Sequence, residues 1–399
     1  MKELIKHRDY TEVSFLKKDK RFRCHEWFVS CDWKTWGLIC TFLLLGTVLI
    51  AQGQSEKIKF ELANSRQVEF SSLDDWSRYK ESTLIGMEEV MGALPERTSL
   101  PDLDMVIIDS LRTQTYIKYH INFAATYEER VTANLYIPLY TGSGGKLPGI
   151  VALHPTGIKG KDIVDGQGPY PNRAYGKELA ERGYVVIAPD YPSFGELADH
   201  DFTTDRYESG TMAGIFYHMR SVDLLEQLEF VDAERIGVIG HSLGGHNAIF
   251  LGAFDERLKA VVSSCGWTLL PLYDIEVKIG KHFGGRYGCW AQDRYMPLLR
   301  DKYKLNLEDF PFDFDQAIFA IAPRPFFSSS PIHDDDFYVK GVEEGMKNIQ
   351  RLYQWMGVPD HVEVHYPDSG HDFPTPYRRR AYEFLDYHLA HTPRSHYIE

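Results

Sequence analysis

The chain has 399 residues, 43% hydrophobic and 14% aromatic, and a formal charge of −13. This length and apolar content allow one large domain or two with a substantial core, and they exclude a disordered chain. The acidic balance excludes nucleic acid as an expected partner, because phosphate backbones are held by clustered Lys and Arg.

Residues 1–34 hold nine Lys/Arg and six Asp/Glu, and the run from Trp36 to Ala51 is almost wholly apolar. Ala51-Gln52-Gly53 then supplies a small-x-small cleavage pattern. Sixteen residues reach about 24 Å as a helix against a hydrocarbon core of roughly 30 Å, which favours a cleaved signal over an anchor. The expectation is a leader over residues 1–53 and a secreted or periplasmic product. Membrane attachment through residues 36–51 is the alternative. Loss of the leader takes the formal charge from −13 to −16.

Residues 54–110 read as an N-terminal helical extension. From residue 111, short Val/Ile-rich runs alternate with longer amphipathic stretches, the pattern of helices packed on a mainly parallel sheet. Strands are predicted at 115–123, 132–137, 149–153, 184–188, 236–240, 258–263, 325–329 and 362–366, the first two as an antiparallel entry. Helices are predicted at 172–182, 214–228, 245–254, 342–356 and 376–391, with Arg378 to Arg380 on a solvated face. The class is therefore α/β with eight strands in a catalytic domain over 111–399. The rhythm lapses between Trp267 and Pro323, so residues 266–323 are expected to form a cap-like insertion after the sixth strand and to line a pocket. Trp267, Trp290 and Tyr295 offer a platform there for a sugar or an aromatic acyl group. Core packing is the competing role for the same residues.

Gly240-His241-Ser242-Leu243-Gly244 lies between a strand-like run, Arg235 to Ile239, and a helix-like one, Gly245 to Phe254. A nucleophile elbow needs that context. A serine in a tight strand-to-helix turn takes strained backbone angles, and the positions two before and two after it must be nearly free of side chain. Ser242 is the candidate nucleophile, activated by a later histidine that a carboxylate orients. His371 follows the last predicted strand. Asp334, the first acid after the strand at 325–329, is favoured as its partner, with Asp335 second. Oxyanion donors are expected from the backbone N–H groups of Leu243 and Thr156. His154, His241 and His246 read as packing residues.

No cofactor is expected, because triad chemistry needs none, and the cluster His333 to Asp336 matches no zinc spacing, so no metal site is assigned. Of five cysteines, Cys24, Cys31 and Cys40 fall in the leader or the apolar run. Cys265 and Cys289 could bridge within the insertion in an oxidising compartment.

Taken together, Arg130 to Pro138, Arg182 to Tyr191 and Gly240 to Asn247 make the chain resemble the dienelactone hydrolase and acetyl xylan esterase-like branch of the α/β-hydrolase superfamily, from about Tyr116 to the C-terminal helix. The resemblance implies an esterase of small-molecule or polysaccharide esters, and its spacing from Arg324-Pro325 places the acid at Asp334. Dienelactone hydrolases carry cysteine at the nucleophile position, so Ser242 favours ester hydrolysis over that reaction. A serine peptidase on the same scaffold is the enzymatic alternative. An inactive, polysaccharide-binding hydrolase fold is the alternative from another class.

Overall fold

A computed structural model describes residues 57–62, 66–139, 145–203, 206–273 and 277–393 of the chain. The expected leader and its apolar run lie outside these residues. Among the described residues no helix is long and apolar enough to cross a membrane.

In chain order, strands β1 (Ile58–Glu61) and β2 (Gln67–Phe70) form an antiparallel hairpin, followed by helix α1 (Leu73–Met91) and strands β3 (Val106–Arg112), β4 (Tyr116–Ala124), β5 (Arg130–Pro138) and β6 (Leu147–Leu153). Helix α2 (Tyr175–Arg182), β7 (Val185–Pro189), α3 (Gly210–Gln227), β8 (Val231–His241), α4 (Leu243–Phe254) and β9 (Leu258–Ser264) continue the alternation. After the insertion come α5 (Phe314–Ile321), β10 (Phe326–Ser329), α6 (Val339–Trp355), β11 (Val362–His365) and α7 (Thr375–His388).

The main sheet runs β11-β10-β9-β8-β6-β7-β5-β4-β3. From β7 to β11 all pairings are parallel, and β5, β4 and β3 add antiparallel to one side. β7 and the Ile236 to Ile239 stretch of β8 are buried apolar runs, as central strands covered on both faces must be. On one face Ile150, Ile239, Val262 and Phe327 pack with Tyr175 and Leu179 of α2 and with Phe384 and Leu385 of α7. On the other face Leu225 of α3 reaches Gly149, and Gly252 of α4 lies against Val261.

The expected eight strands are nine. β3 straddles the expected boundary between the helical extension and the catalytic domain, and it is the antiparallel edge of the sheet, its residues mostly exposed. An edge strand facing water carries little period-2 signal, which hid it. Nor is the segment 54–110 a separate helical extension, since all described residues fall in one compact unit beginning at Lys57. It holds a hairpin and an edge strand beside α1. Phe60 of β1 meets Phe70 at 5.5 Å and Phe319 of α5 at 5.1 Å between ring centroids, and Arg66 donates to the carbonyls of Phe310 and Pro311.

The insertion is only partly a cap. Two short helices, Val277–His282 and Leu298–Asp301, lie in it, but its end is α5, which packs on α1 and α4 as part of the helical layer. Asp313 and Gln316 form a capping box that starts α5. Arg378 was expected on a solvated face. It is buried, donating from Nε and Nη2 to Glu178. α3 starts four residues earlier than predicted, because Ser209 Oγ accepts from Met212 N and caps the helix ahead of Gly210.

Phe60→Ala removes a ring that is 1% exposed and bridges the hairpin to α5. A loss of about 3–5 kcal/mol in unfolding free energy is expected, measured by urea titration of the full chain.

Candidate active site

β8 ends at His241 and α4 begins at Leu243, so Ser242 alone makes the turn, with φ 56° and ψ −121°. A non-glycine residue held there is strained, and the surroundings must enforce it. A Cβ on Gly240 would stand 2.0 Å from the Gly244 carbonyl oxygen, and one on Gly244 would stand 2.1 Å from that of Leu153. The start of α4 is thus pressed against the end of β6, at a distance only glycine allows. Ser242 N donates to Ser264 O at 2.8 Å, and the Ser242 carbonyl accepts from Gly245 N and His246 N.

Asp334 sits on the loop after β10. Its Oδ1 accepts from Asp336 N and Phe337 N, each at 2.9 Å, and from His371 Nδ1 at 3.0 Å. These donors fix the carboxylate, which in turn fixes the imidazole with its proton on Nδ1 and Nε2 turned outward. Asp335, the second choice, is exposed. The loop carrying His371 is held from α2's side of the sheet, where the buried Arg173 donates from Nη2 to the His371 carbonyl at 3.0 Å and from Nη1 to Asp372. Burial opposes the imidazolium, but the hydrogen bond and charge of Asp334, joined by the charge of Asp336, outweigh it and hold His371 above the ordinary histidine value.

Ser242, His371, His241, Asp336, Arg173 and Thr156 share the walls of a pocket of about 300 Å3. Among the described residues no hydrogen bond joins Ser242 Oγ to His371; Nε2 lies 3.7 Å from Asp336 Oδ2. Catalytic contacts of this kind are commonly loose before substrate arrives.

Leu243 N, at the first position of α4, is one of the helix-start amides without an intrahelical acceptor. Thr156 follows β6 on the pocket wall, and its Oγ1 is 3.1 Å from Tyr295 Oη. The Thr156 loop is anchored below by Asp190, whose carboxylate accepts from Lys161 N and Nζ and from Thr132 Oγ1 at 2.7–2.8 Å. Burial would depress the Lys161 ammonium, but Asp190 and Glu196 raise it.

The expected aromatic platform is not formed. Trp267 is 1% exposed and donates from Nε1 to Ser328 Oγ inside the core. Trp290 is buried against His246, Tyr273 and Phe314, and Tyr295 reaches Thr156 from the insertion, but none of the three lines the pocket. Aromatic content gave a signal for burial, not for a ligand surface. The rim instead presents Ile158, 90% exposed, and Tyr170, 63% exposed, which sequence pattern did not single out. Arg173 and Asp336 were also missed, the first because it reads as part of the helix predicted at 172–182 whereas it lies in a short 3-10 turn ahead of α2, and the second as one acid in a row of three.

His154, His241 and His246 are buried packing residues. His154 stacks on Tyr191 with centroids 3.8 Å apart, His241 Nδ1 lies 3.0 Å from Ser264 Oγ, and burial lowers all three from the ordinary value. The bridge considered between Cys265 and Cys289 is not formed: Cys265 Sγ contacts the Asp372 carbonyl and Cys289 Sγ the Tyr273 hydroxyl. Among the described residues Cys265, Asp334 and His371 could together reach a metal ion, yet two of them are already bonded to each other.

Gly244→Ala places a methyl group against the Leu153 carbonyl with no room to shift. The expected result is a destabilisation of at least about 1–3 kcal/mol, read as a lower urea midpoint, with lost alignment of Ser242.

Residues 167–386 match the model of the alpha/beta hydrolase family. YtaP of Bacillus subtilis is 26% identical over 302 residues, covering 72% of this chain and 94% of that protein. A 4-O-methyl-glucuronoyl methylesterase of Phanerochaete carnosa is 27% identical over 54% of this chain and 53% of its own length. Among solved structures, the glucuronoyl esterase from Solibacter usitatus shares the fold, with a TM-score of 0.61 and 20% identity over 82% of this chain and 95% of that one. With more than half of its length matched by the family model, and a parallel sheet whose strand-to-helix turn carries Ser242, the chain belongs to the alpha/beta hydrolase family.

Proposed function

We propose that this protein hydrolyses a carboxylic ester of a carbohydrate or another small alcohol through an acyl-enzyme on Ser242. The observation that carries this reading is the alignment of Asp334 with His371 Nδ1, which leaves Nε2 toward the pocket into which the strained elbow lifts Ser242. In the first half-reaction the Ser242 hydroxyl attacks the ester carbonyl as neutral His371 takes its proton at Nε2. The imidazolium then gives that proton to the departing alcohol. Water repeats the sequence on the acyl-enzyme, releasing the acid and restoring the serine. The amides of Leu243 and Thr156 receive the tetrahedral oxyanion. Ester rather than peptide chemistry, and a carbohydrate substrate, draw support from the names of the methylesterase and the glucuronoyl esterase, which the chain resembles in sequence and in fold respectively.

We also infer an exported enzyme, on the strength of the apolar run 36–51 and the small-x-small pattern after it. A reporter fused to residues 1–60 that stays in the cytoplasm would overturn this.

With p-nitrophenyl acetate as substrate, Ser242→Ala is expected to lower kcat/KM by at least about 10^4-fold and Asp334→Asn by about 10^3 to 10^4-fold, whereas Asp335→Asn stays within about twofold. Ser242→Ala turning over at the wild-type rate would refute the mechanism. Because Arg173 holds the His371 loop, Arg173→Ala is expected to lower kcat by about 100-fold with the fold intact, measured against the same substrate. Neutral His371 is the working base and its value is raised, so kcat/KM is expected to climb with pH along an acid limb centred above about 6.5.

A further inference from the structure

Two carboxylates face the His371 ring, and the proposed reaction uses one. Asp334 is side-chain buried and bonded to Nδ1, whereas Asp336 stands at the other edge, with Oδ2 3.7 Å from Nε2, and lines the same pocket as Ser242. The distance is too long for a hydrogen bond and within reach of an ion pair. Its side chain is 47% exposed, toward the pocket, while its backbone N–H is engaged by Asp334 Oδ1. That tether keeps the Asp336 backbone beside the ring.

Resting on the ester-hydrolase reading, we propose that Asp336 is a positioning residue that clamps protonated His371 through Nε2, so that His371 serves Ser242 only when the clamp opens. In the clamped form the imidazolium is held at both edges, Nδ1 by Asp334 and Nε2 by Asp336, and Nε2 has no lone pair to accept the serine proton. Release of the Nε2 proton to solvent water in the open pocket removes the ion pair and leaves the Nε2 lone pair for Ser242 Oγ.

The remaining charged and titratable groups around the pair do not supply this effect. His241, whose ring centroid is 5.0 Å from that of His371, is buried and held low by burial. Arg173 lies behind the His371 carbonyl and opposes a cation on the ring. Cys265 lies near the Asp334 edge, and its thiol is raised by burial. Asp335 and Asp334 are like charges beside Asp336, while Tyr273, Cys289 and Tyr295 face it from the insertion without a cation among them. Lys159, also on the pocket wall, belongs to the Thr156 loop. Partial burial and the neighbouring acids push the Asp336 carboxyl up, and His371 pulls it back.

Two unit charges near 4 Å in a water-like medium are worth about 0.7 pH unit of mutual shift, and more where water is partly excluded. The test is the pH profile of kcat/KM for p-nitrophenyl acetate with the full chain and with Asp336→Asn, Asp336→Ala and Asp336→Glu, beside an NMR titration of the His371 imidazole nitrogens in each. The expected result is an acid limb displaced downward by about 0.7 unit or more in the Asn and Ala variants. The imidazole titration should move equally, with the wild-type position regained in the Glu variant. The same limb and titration in all four proteins would overturn the proposal, as would a uniform loss of rate with no displacement. If wild type shows no Ser242-dependent turnover, the hydrolase reading fails instead, and the His371 titration still decides the role of Asp336.

Discussion

Three backbone segments meet where the Leu153 carbonyl, the start of α4 and the end of β8 close on one another, and the space between them admits no Cβ at Gly240 or Gly244. This contact fixes the angle at which α4 leaves the sheet, and so forces Ser242 to φ 56°. Strain of this kind costs on the order of 1–3 kcal/mol and persists only where the packing around it is over-determined. Here the packing consists of α4 buried over nearly its whole length and β8 between two parallel neighbours. The sheet thus supplies the constraint, and the serine's exposure follows from it.

The other groups reach the same pocket because the strands end together. Leu153 pairs with Gly240, His241 with Ser264, Ser264 with Ser329, and Ser329 with His365. Loops leaving a parallel sheet at one level share a crevice at its carboxyl end, which is where α/β folds hold their ligands. Each loop then has its own buried polar tether: Asp190 to Lys161 under Thr156, Arg173 to Asp372 and the His371 carbonyl, and backbone amides on Asp334. Loop backbone lacks the repeating ladder of a strand, so such charge-assisted bonds are what hold it to a fraction of an ångström.

Much of this was legible in the chain. The buried parallel strands announced themselves as Val/Ile-rich runs, and Gly-x-Ser-x-Gly between a strand and a helix located the tight turn that carries Ser242. Asp334 was separable from Asp335 by its place after β10, and the hydrogen bonds to His371 fall on it. Three kinds of feature were hidden. β3 was hidden because an exposed edge strand has no buried face to impose period-2 patterning. Arg378 was misjudged because its partner Glu178 lies 200 residues away. The pocket rim was misassigned because Trp267 and Trp290 carry the same composition whether they meet a ligand or Phe314.

What the sequence determined by itself was therefore local and chemical: the order of strands and helices from β4 onward, the glycines a tight elbow requires, and the residue types able to act as nucleophile, base and acid. These follow from backbone sterics and side-chain period, which act within a few residues. Tertiary structure decided which groups share a space. It set Arg173 behind the His371 loop, turned Asp336 toward Nε2, buried the tryptophans and left Ile158 and Tyr170 at the mouth. Those outcomes depend on where loops far apart in the chain come to rest, and long-range packing and buried charge pairing, not local propensity, select that arrangement.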